Sequence, residues 1–293
     1  METHERFEAR RLEETQRGTS LLARRPLIIF DDARATAVAA TRAEAPELVA
    51  EVGRLRSLSF ANEAEATGEG YGLDEYDDYY RQLVVIDKES GDIMAGTRLG
   101  FGNEILATHG WQSLYTAGYW AFGDGMVRTA RRGVEIGRTW VHPVHRRGRL
   151  GLALLWKALA LLLDEEDGFF FGMVSLTGYP ERSRDLILNY LRRYHGTEKD
   201  LVSPRYPAQI RGCGRYAAEH EGICAEEALR RLGFELKRSS PDYRMPALLR
   251  HYARFGAELA GGFAGSRREN KVSALLLAPV ARLRGPMGRF GSL

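Results

Sequence analysis

Glu135 and Arg138 stand three positions apart in Val134–Val141, a run that alternates apolar with polar or small residues. Period two marks a strand with one buried face, so Glu135, Gly137 and Thr139 share one face and Ile136, Arg138 and Trp140 the other. On that phase the two charges become neighbours only if a bulge intervenes. Ile136 and Trp140 set Arg138 among core residues, where a guanidinium needs carboxylate or carbonyl partners. A satisfied strand ion pair meets that need. So does a working pair, in which the carboxylate manages an amine proton and the arginine holds an anionic group.

Pro143 ends this strand, and His145-Arg146-Arg147-Gly148-Arg149 follows as a strongly basic turn. Gly151 onward reads as an apolar helix. The first amides of a helix lack intrahelical acceptors and can hold a phosphate, and Gly148 permits close backbone approach. A basic surface loop is the plain alternative. The turn is not a nucleotide P-loop, because the Gly-x-x-x-x-Gly-Lys-Ser/Thr spacing is absent. Upstream, Asp74, Asp77 and Asp78 end an acidic, glycine-rich stretch; they suit loop charges or N-caps as well as amine recognition.

These residues need elements to position them. Pro46 opens a helix through Leu48, Val52 and Leu55 to Phe60, with apolar residues at helical intervals. Gln82–Ile86 and Ile93–Leu99 read as a hairpin around Asp87–Asp92. Residues 100–132 lack clean periodicity and suit loops or short helices. Phe169–Leu176 reads as a strand and Glu181–His195 as an amphipathic helix. Further helices are expected at Ala225–Leu232, stopped by Gly233, and at Pro246–Leu259; a possible edge strand lies at Ser273–Leu277. The order strand, helix, strand, helix implies an α/β protein with a parallel or mixed sheet covered by helices. Residues 1–45 read as a helical extension (Glu5–Gln16 and the alanine-rich Arg34–Arg42), 46–260 as the core, and 261–293 as a segment ending in a basic tail.

With 293 residues, 44% hydrophobic and 28% charged, the chain has a globular balance. Its 42 basic and 39 acidic residues leave a formal charge of +3, too small an excess to imply nucleic acid. Cys213 and Cys224 form no disulfide framework and no tight metal pair. Leu150–Leu163 is too short for a bilayer core of about 30 Å, and no signal-peptide pattern opens the chain, so the cytoplasm is expected.

The core resembles the Gcn5-related (GNAT) acyltransferase superfamily. Its helix signature Gln/Arg-x-x-Gly-x-Gly/Ala is matched by His145 to Leu150, with Gly151 one place late. The closer resemblance is to the N-acyl amino acid synthases, the ornithine-lipid, glycine-lipid and hemolysin-like proteins. It rests on EVGRLRSLSF (51–60), ATGEG (66–70), DEYDDYYRQLVVID (74–87), GTRL (96–99), EIGRTWVHPVHRR (135–147), the stretch 170–194 and LVSPRYP (201–207). Acyl-homoserine-lactone synthases share part of the pattern, at Arg56, Phe60, Asp74, Asp77, Arg98, Glu135 and Arg138.

The resemblance implies a GNAT-like, mostly antiparallel sheet flanked by helices, and acyl transfer from a carrier thioester to a small amine, glycine first. It implies catalytic roles for Glu135, Arg138, Asp77 and Arg98, with Glu135 or Asp77 as base. Arg56, Phe60, Asp74, Trp140 and Ser175 would meet substrate. His145, Arg146, Arg147, Gly148, Arg149 and Gly151 would face the phosphopantetheine of acyl carrier protein, with acyl-CoA possible as donor. No tightly bound cofactor or metal is implied, and a lipid-like product would suit peripheral membrane contact. Signal-lactone synthesis and a carrier-binding protein without turnover are the alternatives. Other chemistries fit less well: Ser175 lacks a Gly-x-Ser-x-Gly turn, His195 and Asp200 follow a helix C-terminus that itself attracts histidine, and Glu219, His220 and Glu221 define no metal geometry.

Overall fold

A computed structural model describes residues 27–61, 72–148, 150–163, 168–197, 200–239, 245–266 and 271–283. In chain order they form strands β1 (Leu27–Asp31) and β2 (Ala35–Ala40), helix α1 (Pro46–Phe60), strands β3 (Arg81–Asp87) and β4 (Ile93–Phe101), and helix α2 (Gly102–Thr108). Strand β5 (Trp120–Phe122), helix α3 (Asp124–Arg131), strand β6 (Gly133–Val141), helix α4 (Leu150–Leu162), strand β7 (Phe169–Thr177) and helix α5 (Glu181–His195) follow. Strand β8 (Val202–Pro204), helices α6 (Cys213–Glu219), α7 (Ala225–Ser239) and α8 (Ala247–Arg254), and strands β9 (Glu258–Leu259), β10 (Ala264–Gly265) and β11 (Lys271–Pro279) complete the order. The chain divides into two compact units, the first taking residues 1–101, 135–166 and 283–293 and the second 102–134 and 167–282. Both are mixed α/β with antiparallel pairing, the fold class expected.

In the first unit the sheet runs β1-β2-β3-β4-β6. Pairing is antiparallel from β1 to β4. The β3–β4 turn is tied by Asp87, whose carboxylate accepts from the Ser90 amide (3.1 Å) and hydroxyl (2.9 Å). Its register sets Gln82 opposite Arg98. Helix α1 begins with Pro46, whose fixed φ suits the first turn. It buries Leu48, Val52 and Leu55 against Val38, Ala40, Val84, Ile86, Ile93 and Trp140. Each such aliphatic side chain contributes about 1.5–3 kcal/mol on burial. Helix α4 packs on β3 and β4. Its Gly151 comes so close that an added Cβ would lie 3.3 Å from the Met94 Cβ. The lone charge on that helix, Lys157, reaches Asp32 at 3.0 Å and lies 4.3 Å from the Phe30 ring centroid, pinning the β1–β2 turn.

Residues 27–40 depart from expectation. Ala35–Ala40 is a strand buried along its whole length, and no helix forms from 34 to 42. Alanine favours helices in isolation, but small side chains in a strand buried on both faces show no alternation, and packing overrides propensity. The segment Glu5–Gln16 lies outside the described residues.

In the second unit β7 and β11 pair antiparallel over nine positions, Phe169 opposite Pro279 through Thr177 opposite Lys271. Because β11 also pairs with β9 and β10, it is an interior strand rather than the expected edge. Helix α5 has the expected bounds and buries Ile187, Leu188, Tyr190 and Leu191. Helix α7 continues through Gly233 to Ser239, with open space around that glycine. A single helical glycine costs only about 1 kcal/mol, which packing of Leu232 and Leu236 exceeds. Helix α8 stops at Arg254, before Gly256 with φ +60°, so 258–259 is a strand instead of a helix end. His195 is a core histidine, bonded to the Ala257 carbonyl (2.8 Å) and the Tyr190 hydroxyl (3.1 Å). Both cysteines are free. Among the described residues no helix is long and apolar enough to cross a membrane, and no cluster of potential metal ligands occurs.

Gly96 on β4 faces Trp140, and an added Cβ would come within 2.9 Å of the buried indole ring. Gly96→Ala should therefore cost about 1–3 kcal/mol through displacement of that ring. Chemical denaturation of the variant beside the wild type checks this.

Candidate active site

The site is built around a short turn. Glu75–Asp78 forms one 3₁₀ turn whose N-cap, Asp74, accepts from the Tyr76 amide at 3.1 Å. Asp77 reaches back to accept from the Asp74 amide at 2.8 Å, closing a reciprocal capping box. Asp74 is thus the N-cap of the turn and Asp77 its N3 partner, and both are also partners of buried or part-buried arginines.

Arg56, on the last turns of α1, is completely buried and grips Asp77 with two guanidinium nitrogens, at 3.0 and 2.6 Å. It also donates to the Gly72 carbonyl. Gln82 donates to Asp77 at 2.8 Å, and Arg98 approaches it at 3.3 Å while donating more closely to Asp74. Asp77 is thus a buried anion with five donors. Burial alone would raise its pKa, but the hydrogen bonds and charge of Arg56, helped by Arg98, hold it down to about 2. Asp77 is held by these donors as a buried charge partner of Arg56 and Arg98.

Arg98 is buried in the middle of β4, and Tyr76 and Tyr80 flank it with ring centroids 5.2 Å from the guanidinium carbon. Burial works against its charge, but Asp74 and Asp77 outweigh that and raise its pKa, so it stays a cation. Asp74 passes the contact on, meeting Arg138 at 3.2 Å through its second oxygen. Tyr80 donates its hydroxyl to the buried carboxylate of Glu135. The result is a continuous chain from Arg56 through Asp77, Arg98 and Asp74 to Arg138, with Tyr80 joining Glu135 to Arg98.

Strict alternation on β6 would separate Glu135 from Arg138. Arg138 has φ +50°, an uncommon left-handed setting for a side-chain-bearing residue, and it breaks the phase of the strand. Its side chain is 19% exposed and meets Asp74. Arg138 is consequently not a core residue, contrary to the alternating pattern. Gly137 and Thr139 beside it are held by the Thr97 hydroxyl at 3.1 and 2.8 Å.

Other expected site residues fall elsewhere. Trp140 belongs to the core against α1, and Phe60 packs on the same cluster. Ser175 lies in the second unit, 3.0 Å from the Ser273 hydroxyl. His145 sits 3.4 Å from Asp92 and lines a cleft of about 340 Å³ with Arg34, Asp87, Glu89, Met94 and Leu150. Arg146, Arg147 and Gly148 belong to the 3₁₀ turn Pro143–Gly148, and Arg149 lies outside the described residues. Tyr76, Tyr80 and Gln82 were missed by sequence reasoning. The signal for Gln82 was a polar residue opening an otherwise apolar strand, directly across from Arg98 in the hairpin register.

Residues 55–157 match the acetyltransferase (GNAT) domain family, a span holding every charged member of this chain of contacts. The chain is 31% identical over 184 residues to a glycine N(alpha)-acyltransferase of Phocaeicola vulgatus, covering 58% of this chain and 56% of the relative. A glycine N(alpha)-acyltransferase of Bacteroides thetaiotaomicron is 30% identical over 181 residues, 57% of this chain and 54% of that one. An L-ornithine N(alpha)-acyltransferase of Rhodobacter capsulatus is 29% identical over 210 residues, 70% and 73% of the two chains. The chain thus spans a little over half the length of the two glycine enzymes it matches.

Asp77→Asn keeps the shape of the anchor but leaves Arg56 and Arg98 short of a buried anion, and should cost about 3–5 kcal/mol at neutral pH. The folded carboxylate titrates near 2, below an unfolded value of about 3.9, so its contribution is complete above about pH 4 and is lost as pH falls through about 2. Urea titrations across that window should show the wild type losing stability as pH falls while Asp77→Asn does not lose that contribution.

Proposed function

We propose that this protein is an acyl-thioester-dependent N-acyltransferase that transfers a fatty or 3-hydroxyfatty acyl group to the amine of a small amino acid, with glycine the first choice. The observation that carries the proposal is the break in β6, which takes Arg138 out of the strand's alternation and into contact with Asp74, while Glu135 stays buried on the same strand. The names of the related glycine and ornithine N-acyltransferases support the same reading.

In this mechanism Glu135, directly or through a water, takes one proton from the acceptor's ammonium group. The freed nitrogen lone pair attacks the thioester carbonyl carbon, and backbone amides along the irregular part of β6 stabilise the oxyanion. The tetrahedral intermediate collapses with loss of the second amine proton, the C–S bond breaks, and the carrier leaves as its thiol. Arg138 receives the acceptor's carboxylate; Arg98, fully engaged by Asp74, Asp77 and two aromatic rings, organises the site from behind. The donor is the acyl-phosphopantetheine of acyl carrier protein, with acyl-CoA as its small-molecule equivalent. His145 to Gly151 guide its phosphate end. The product is an N-acyl amino acid, an amphiphile whose release suits a protein working against the inner face of a membrane.

Two measurements test this. On expression in a host that supplies 3-hydroxyacyl carrier protein, lipid mass spectrometry should find an N-acyl amino acid with the wild type and none with Glu135→Gln or Arg138→Ala. Purified protein that binds acyl carrier protein but consumes no thioester on adding glycine, serine or ornithine would instead indicate a carrier-binding protein. Separately, Arg138→Gly removes a left-handed setting that costs a side-chain-bearing residue about 1–2 kcal/mol. It should melt at or above the wild-type temperature while losing amide formation, separating function from stability.

A further inference from the structure

Tyr80 is a residue that neither the spacing of the charges nor the proposed chemistry assigns. It follows directly on the turn that presents Asp74 and Asp77, and its amide donates to the Tyr76 carbonyl at 2.9 Å. The side chain is 1% exposed. Its ring packs edge-on to Tyr76 (centroids 5.9 Å apart) and Tyr79 (5.3 Å), and covers one face of the Arg98 guanidinium at 5.2 Å. The hydroxyl at the end of this fixed ring donates to Oε2 of Glu135.

We infer that Tyr80 is the positioning residue of the site: its hydroxyl orients the Glu135 carboxylate, and its ring fixes that orientation to the Arg98–Asp74–Asp77 lattice. A glutamate has three side-chain torsions, and burial alone selects none of them. A donor held by two rings and a guanidinium does select one, because the hydroxyl cannot follow the carboxylate if it turns. Bonding at Oε2 directs the other oxygen, which is the one that receives the amine proton. Tyr80 keeps its own proton throughout: it donates to the carboxylate before the transfer and to the remaining carbonyl oxygen of the acid after it. The inference rests on the reading of Glu135 as base, and its test has an arm that does not depend on turnover.

Tyr80→Phe removes the hydroxyl and leaves the ring on Arg98. With the full chain, kcat for amide formation should fall about 10- to 100-fold, while KM for the amino acid changes less than about twofold, the pattern of a misdirected base in a correctly bound complex. Without substrate, infrared spectra of protein labelled with carboxyl-¹³C glutamate, with the Glu135 band assigned by its loss in Glu135→Gln, should show that band displaced in Tyr80→Phe. An unmoved band overturns the inference. So does an unchanged kcat in an active wild type, or a Tyr80→Phe protein that fails to fold, which would make the hydroxyl a determinant of folding. A wild type that forms no amide but shows the displaced band would refute the acyltransferase reading and leave the Tyr80–Glu135 coupling standing.

Discussion

Asp77 is where the first unit's polar interior is settled. A carboxylate this deeply buried would ordinarily be protonated or absent, because removing its charge from water costs several kcal/mol. Here Arg56 supplies two parallel hydrogen bonds in the fork geometry that suits a carboxylate, and Gln82, Arg98 and a backbone amide fill the remaining positions. A hydrophobic pair in place of both Asp77 and Arg56 would pack α1 against the hairpin at similar or greater stability. It could not hold Arg98 as a buried cation, nor fix the 3₁₀ turn that carries Asp74 and leads into Tyr80. The contribution of Asp77 is therefore one of geometry more than of stability.

From that anchor the order passes outward through alternating charge. Arg98 is clamped by carboxylates and aromatic faces, and Asp74 is shared between a buried guanidinium and a partly buried one. Asp74 and Arg138 are the partly exposed end of the chain and Asp77 and Arg98 its buried end, and each charge meets an opposite one. The left-handed setting of Arg138 belongs to the same logic. Left on the core face, its guanidinium would need partners among Ile136 and Trp140; displaced, it meets Asp74. Local backbone strain is exchanged for a satisfied ion pair, a trade found mainly where the side chain has work to do.

Much of this was legible in the residues. The hairpin, α1, α5 and β7 announce themselves by period and punctuation; Glu135, Arg138 and the aspartates stand out by type and spacing, whereas Arg56 and Arg98 are named only by the family resemblance. What stayed hidden has definite physical causes. The alanine-rich, wholly buried character of β2 erases the alternation that distinguishes a strand, so propensity pointed to a helix. The positive φ at Arg138 is a single backbone departure, and no composition rule places such a residue at an arginine. Tyr80 was hidden for a third reason. Its neighbours Tyr76 and Tyr79 are chemically alike, and only the turn geometry decides which hydroxyl meets Glu135.

The division of the chain also bears on how the site comes into being. The first unit is interrupted: residues 102–134 belong to the second unit, and the first resumes at Glu135. As the chain leaves the ribosome, α1, the 3₁₀ turn and the β3–β4 hairpin appear together, so Arg56, Asp77 and Arg98 can associate early. Glu135 and Arg138 emerge later, after the whole intervening segment. Closing a longer loop adds little entropy cost, since that cost grows only logarithmically with length. The delay is one of timing. During it, Tyr80 and Asp74 have their future partners still inside the synthetic machinery, and the half-built unit lacks β6 over the side of β4 that it will pair with. The nascent chain is then at its most exposed to association with other strands.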